Sequence, residues 1–267
     1  MNKKATIAIS FVLLIGLSLL LYPTISNYWN SLHQSRAIAS YVETVDNFDQ
    51  DTYDRILTSA QEYNDAIDQL TMAELTEERY QDYLQQLNIT SGGIMGYIDI
   101  PKIHVTLPIY HSTDDSVLQV AIGHVEGSSL PVGGAGSHCV LSGHRGLTNA
   151  KLFTNLDQMQ KGDVFVLSVL HEELYYEVDD ISIVKPDDIN ALTFEDGLDL
   201  CTLITCTPYG VNSHRLLVRG HRIEKEEASL ARLSTNATRI NRWVVVAAIL
   251  APFVLIALLV CIIRRKR

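Results

Sequence analysis

Two uncharged apolar runs near the ends of this 267-residue chain constrain what the rest of it can be. Residues 5–22, ATIAISFVLLIGLSLLLY, follow Lys3 and Lys4, and residues 243–263 precede Arg264, Arg265, Lys266 and Arg267. Each run is long enough to cross the hydrocarbon core of a bilayer, which takes about 20 apolar residues in a helix. A soluble helix of that length with no polar face would have to be buried on every side. The basic residues lie outside both runs, so the positive-inside bias predicts cytoplasmic termini and an external middle. A cleaved signal peptide is the competing reading of the first run, but Tyr22, Pro23 and Thr24 offer no small-residue cleavage site.

Of 21 Lys and Arg, six sit at the extreme termini, whereas all 31 acids lie between the runs. The middle is therefore strongly acidic, which keeps it soluble and argues against a nucleic-acid partner. The cysteines at 139, 201, 206 and 261 make no disulfide framework, and nothing in the sequence supports a Cys139 to Cys201 bridge. Cys139 and Cys201 sit in apolar strand patterns as small core residues, and Cys261 belongs to the second run. Cys206 is left without a packing role, and a spare thiol in an oxidising exterior calls for a chemical reason.

Residues 26–93 begin as a helical arm. Ile38, Tyr41, Val42, Val45 and Phe48 recur at helical spacing, as do Ile56, Leu57, Ala60, Tyr63, Ile67 and Leu70. Asp51 is the expected cap of the second helix, and Thr71 with Glu74 reads as a capping box for a third through Leu87. After Ser91, Gly92 and Gly93 the period changes to two. Strands are expected from Ile94 to Ile109, interrupted by Pro101 and Pro108, then over 139–143, 164–169, 174–184, 200–206 and 215–223, with a short helix near 152–159. Many short strands without regular helical alternation predict a closed, antiparallel-rich barrel.

The chemistry concentrates in DLCTLITCTPYGVNSHRLLVRGHRI, residues 199–223. Pro208, Gly210, Asn212 and Ser213 turn the chain between two apolar runs, so Cys206 ends one strand of a hairpin and Arg215 opens its partner. A cation beside a thiol favours thiolate and can hold a developing oxyanion. A base is supplied upstream by HCVLSGHRGL, residues 138–147, where a short strand ends at Gly143 and His144. Cys206 as nucleophile, His144 as general acid and base, and Arg215 as oxyanion stabiliser form a candidate acyl-transfer triad. Thr205 and His111 are added as candidate substrate-binding residues. Arg219 and Arg222 compete with Arg215 on the same strand. His33, His104, His124, His171 and His221 read as surface or packed residues, and His138 with Cys139 lacks the further ligands of a metal site. The scheme uses no metal or cofactor.

TLITC with Arg215 downstream and SGHRG about 60 residues upstream resembles the sortases, and CTPYGVNSHRLLVRGHR resembles their pilus-building class C branch. The resemblance covers roughly residues 94–223. It implies an eight-stranded sortase barrel with short helices, which the apolar runs and helical spacings place after a helical arm and between two transmembrane helices. The expected organisation is a span at 1–25, an arm and possible lid region at 26–93, the barrel at 94–225, a linker at 226–242, a second span at 243–263 and a basic cytoplasmic tail at 264–267. The resemblance further implies cleavage of an LPxTG-like signal between Thr and Gly and transfer to a pilin lysine. Substrates would be pilins or surface proteins carrying that signal, met at the membrane.

The chain departs from the class C pattern in one respect. No proline stands between Pro23 and Pro101, so the Asp-Pro-aromatic lid motif is absent and an open or differently covered groove is expected. Two alternatives remain: a housekeeping enzyme that anchors proteins to the cell wall, and a membrane-bound pilus-assembly scaffold without catalysis.

Overall fold

The computed structural model describes residues 3–67, 75–90, 92–188 and 190–228. Among the described residues, those within 3–31 and 148–150 form one unit and those within 32–147 and 151–228 another. In the first, the apolar run begins helix α1 (Lys3–Asp46), which is long and apolar enough to cross a membrane. The sequence reading ends the span at residue 25 and starts a separate arm at 26. Helix α1 continues past that boundary without interruption, with Pro23 inside it. Proline costs the bond to the Leu19 carbonyl, yet the leucines before it favour helix and no further Gly or Pro follows it in α1. The second run, the remainder of the linker and the basic tail lie outside the described residues.

In the second unit, α2 (Gln50–Ala66) and α3 (Glu77–Gln85) complete the arm. Asp51 is not the cap of α2. Asp49 holds the extended backbone that a capping residue needs, and its carboxylate accepts the Thr52 N–H at 2.9 Å. Asp51 falls in the first turn, where its charge meets the helix dipole. Thr76 caps α3, accepting from the Arg79 N–H; the Thr71 and Glu74 pair lies outside the described residues.

Eight strands follow: β1 (Ile94–Ile100), β2 (Val105–Tyr110), β3 (Ile122–His124), β4 (Ser137–Ser142), β5 (Val164–Val169), β6 (Glu172–Val184), β7 (Asp199–Thr207) and β8 (His214–Ile223). They close into a barrel in the order β1-β2-β3-β4-β7-β8-β6-β5. Two neighbour pairs are parallel, β2 with β3 and β4 with β7, and the rest are antiparallel. The eight-stranded, mostly β expectation therefore holds. Only β3 has no counterpart in the sequence reading, because three residues are too few to show alternation. The helix expected at 152–159 is a 3-10 turn at Leu156–Gln158, and a four-residue helix, α4 (Asp115–Leu118), precedes β3.

Inside the barrel, Phe165 stacks on Tyr176 at 5.5 Å between centroids, and Cys139 and Cys201 are buried as free thiols. The arm is bonded to the barrel and does not merely cover it. Tyr41 of α1 donates its hydroxyl to the Met95 carbonyl at 3.0 Å and accepts the Leu170 N–H at 2.8 Å. Asn64 of α2 bonds both backbone groups of Leu130, at 2.7 and 3.2 Å, as a neighbouring strand would. Tyr83 of α3 accepts the Ser112 N–H at 2.9 Å and lies 3.0 Å from His124 Nδ1.

Candidate active site

The site forms where β4 and β7 end and β8 begins. β7 and β8 pair antiparallel with Cys206 directly opposite Arg215 and Thr207 opposite His214. Directly opposed residues project from the same face with Cα atoms about 4.5–5.5 Å apart. The hairpin inferred from the turn residues is thus present, and Cys206 is half-buried at its mouth. The Thr207–Pro208 peptide bond that starts the turn is cis.

His144 arrives on the other side of β7. The parallel ladder of β4 and β7 matches Ser142 with Ile204. It continues one residue further, where the Gly143 N–H donates to the Ile204 carbonyl at 3.0 Å and the Thr205 hydroxyl donates to the Gly143 carbonyl at 2.7 Å. Gly143 therefore lies beside Thr205, and His144 leaves the sheet beside Cys206. Cys206 and Arg215 thus face each other across the β7–β8 ladder, and His144 follows the end of β4, the strand on the other side of β7.

The Arg215 guanidinium donates from Nη1 to the carbonyls of His214 at 3.2 Å and Asn212 at 3.4 Å. Its rivals are committed elsewhere. Arg219 forms a two-pronged pair with Asp179 at 3.0 and 3.1 Å and a further bond to Glu195 at 2.6 Å. Arg222 lies over the Tyr176 ring, 5.8 Å from its centroid.

Two expected binding residues have other duties. Thr205 is buried and spends its hydroxyl on Gly143, since period two turns it to the face opposite Cys206. His111 does not line a groove. It is buried against Tyr83, with Nδ1 3.0 Å from the Gly93 carbonyl and Nε2 2.7 Å from the Gln86 carbonyl, so it fastens the end of the arm to β2. Burial holds its pKa below the ordinary imidazole value, against the raising effect of those carbonyls.

Along the face that carries Cys206 runs an apolar strip that sequence reasoning did not identify. Val140, Leu192 and Leu217 form its buried part, and Val125, Val184, Ala191 and Ile204 flank it. Ile204 is two residues before Cys206 and Leu217 two after Arg215, which gives the shared face. The 3-10 turn Asn190–Leu192, from the connection between β6 and β7, forms its wall. His138 pins that connection: its Nδ1 donates to the Thr193 carbonyl at 2.8 Å and its Nε2 accepts from the Thr202 hydroxyl at 2.7 Å. Burial lowers the His138 pKa, favouring the neutral ring this arrangement needs.

Comparison with known proteins gives one consistent result. Residues 98–223 match the Sortase domain. Sortase A of Bacillus anthracis is 31% identical over 127 residues, which are 48% of this chain and 59% of that relative. The chain thus spans little more than half of that relative's length, and 47% of sortase A of Streptococcus agalactiae. Among solved structures, sortase C1 of Streptococcus agalactiae superposes with a TM-score of 0.69 at 49% identity, covering 71% of this chain and 99% of that one. Sortase C of Streptococcus pneumoniae, described for its pilin substrate specificity, gives 0.64 at 37% identity, covering 77% and 100%.

Proposed function

The chain belongs to the sortase family, and on that premise we propose that it is a membrane-anchored cysteine transpeptidase that joins pilin subunits. The observation that carries this reading is the opposition of Cys206 and Arg215 with His144 emerging alongside. His144 takes the Cys206 proton, and the sulfur attacks the scissile carbonyl carbon of a sorting signal. Arg215 turns from its loop carbonyls to the oxyanion, exchanging neutral acceptors for a charged one. As the carbon–nitrogen bond breaks, His144 returns the proton to the leaving amine, and a thioester on Cys206 remains. An incoming amine then attacks the thioester while His144 takes its proton, and the sulfur departs as thiolate.

The apolar strip of Val140, Ile204 and Leu217 suits the Leu-Pro part of an LPxTG-like donor lying extended toward Cys206, with cleavage between Thr and Gly. The class C neighbours support a pilin lysine as acceptor. Anchoring through α1, with the barrel outside the membrane, would raise the effective concentration of donors held in the same bilayer. A second reading, attachment of proteins to the cell wall, draws support from the relatives named sortase A.

The test uses the full-length chain in detergent with an LPxTG peptide. A Cys206 thioester seen by mass spectrometry, followed by amide formation to a pilin lysine, is expected. Transfer only to a cell-wall peptide would select the second reading. Absence of any adduct with all sorting-signal peptides would remove the enzymatic one.

A further inference from the structure

We infer that Arg145 is a positioning residue for this reaction, one guanidinium tying the segment that carries His144 to the segment that follows Cys206. The inference rests on the roles proposed above for Cys206 and His144. Arg145 directly follows His144, and Thr207 directly follows Cys206. Arg145 Nη1 donates to the Thr207 hydroxyl at 3.3 Å, while Nη2 pairs with Asp157 of the 3-10 turn Leu156–Gln158. The guanidinium carbon lies 5.8 Å from the centroid of the Tyr209 ring. Gly146 completes the joint: a Cβ there would come within 3.0 Å of Tyr209 Cε2.

The joint has a mechanical purpose. The last ladder bond between β4 and β7 is Gly143 N–H to Ile204 carbonyl, and both reactive residues lie beyond it. Backbone pairing therefore leaves their separation unset, although proton transfer needs heavy atoms within about 2.6–3.2 Å. A flat fork with several donors can hold two segments at a fixed distance, which a lysine cannot.

Stability does not account for this arginine. Its side chain is only 9% exposed, and its Nε is buried without a hydrogen-bond partner. A desolvated cation with an orphan donor is commonly no more stabilising than an apolar residue of equal volume. The position of such a group, between the segments that carry the reactive pair, points to placement.

The experiment compares full-length wild type with Arg145→Gln, Arg145→Lys, Thr207→Val and His144→Ala. It reads kcat and KM for peptide cleavage and the pH profile of Cys206 alkylation by iodoacetamide, located by mass spectrometry. Arg145→Gln is expected to lower kcat by about 10- to 100-fold with KM within about threefold, as a displacement near 1 Å would. Its alkylation profile should move toward that of His144→Ala, and Arg145→Lys should recover only part of the loss. Thr207→Val should shift kcat and profile in the same direction by less, and it decides the matter should Arg145→Gln not fold. Wild-type kcat and profile in both Arg145→Gln and Thr207→Val, with only thermal stability altered, would overturn the inference. A profile unchanged by His144→Ala would instead overturn the proposed pairing of Cys206 with His144, on which the inference stands.

Discussion

Arg215 stands directly across the β7–β8 ladder from Cys206, yet its guanidinium is turned back onto the carbonyls of His214 and Asn212. Both bonds are long, at 3.2 and 3.4 Å, so a nearby oxyanion would displace them readily. Arg215→Lys keeps the charge and loses the fork. It is expected to lower kcat by about 100- to 1,000-fold, the usual consequence of losing an oxyanion donor. Chromatographic assay of peptide cleavage checks this, and unchanged kcat would remove Arg215 from the reaction.

Gly143 is crowded on its side-chain side. A Cβ there would lie 2.7 Å from Phe153 Cδ2 and 2.9 Å from Ile122 Cγ2. Gly143→Ala should therefore destabilise the fold by about 1–3 kcal/mol, as overpacking does. It should also reduce kcat, since His144 is the next residue. Gly92→Ala, where a Cβ meets nothing nearer than 3.8 Å, serves as the control in thermal melts and kinetics.

Tyr83 holds α3 to the barrel through one hydroxyl, which accepts the buried Ser112 N–H and contacts His124. Tyr83→Phe leaves that N–H without its partner, at a cost of about 1–3 kcal/mol. The expected result is faster trypsin cleavage at Arg79, within α3. Cleavage at the wild-type rate would mean that packing alone retains the helix.

Acid should loosen the connection between β6 and β7 and the attachment of the arm before it affects the barrel ladder. Burial lowers the pKa of His138 and His111 below the ordinary imidazole value. The unfolded chain then binds protons more readily than the folded one, so this stabilisation is complete above about pH 6.5 and fades as pH falls toward the folded values. Melting temperature should drop progressively below that pH. In His138→Gln the slope should be shallower, and an identical slope would exclude His138 as a contributor.

How much could be read in advance depended on distance along the chain. Cys206 and Arg215 are separated by one turn whose Pro208, Gly210 and Asn212 announce a hairpin, so local chemistry sufficed. Cys139 and Cys201 were recognisable as core residues from the apolar strands around them. His144 needed the family motif, because its approach relies on β4 and β7 being parallel neighbours, with Gly143 and Thr205 in contact across 62 residues. The same non-local pairing hid Arg145 and the apolar strip. Whether a histidine such as His111 lines a groove or fastens an arm depends on what packs over it, and Gln86 and Tyr83 come from elements whose docking no periodicity reveals. Helix α2 was readable in its middle but not at its ends: backbone geometry makes Asp49 and not Asp51 the cap, and the helix stops at Ala66, with Ile67 already extended.

Because β4 and β7 run in the same direction, both reactive segments emerge at one rim, while Ser137, Tyr176 and Asp199 bond together at the far ends of those strands. The turn from Pro208 to Ser213, with Tyr209 and Val211 exposed, overhangs that rim without taking part in any rung below it. Lengthening or exchanging the turn between Tyr209 and Val211 would reshape the surface beside the sulfur and leave the scaffold underneath in register, so that surface can vary without disturbing the ladder that sets Cys206 against Arg215.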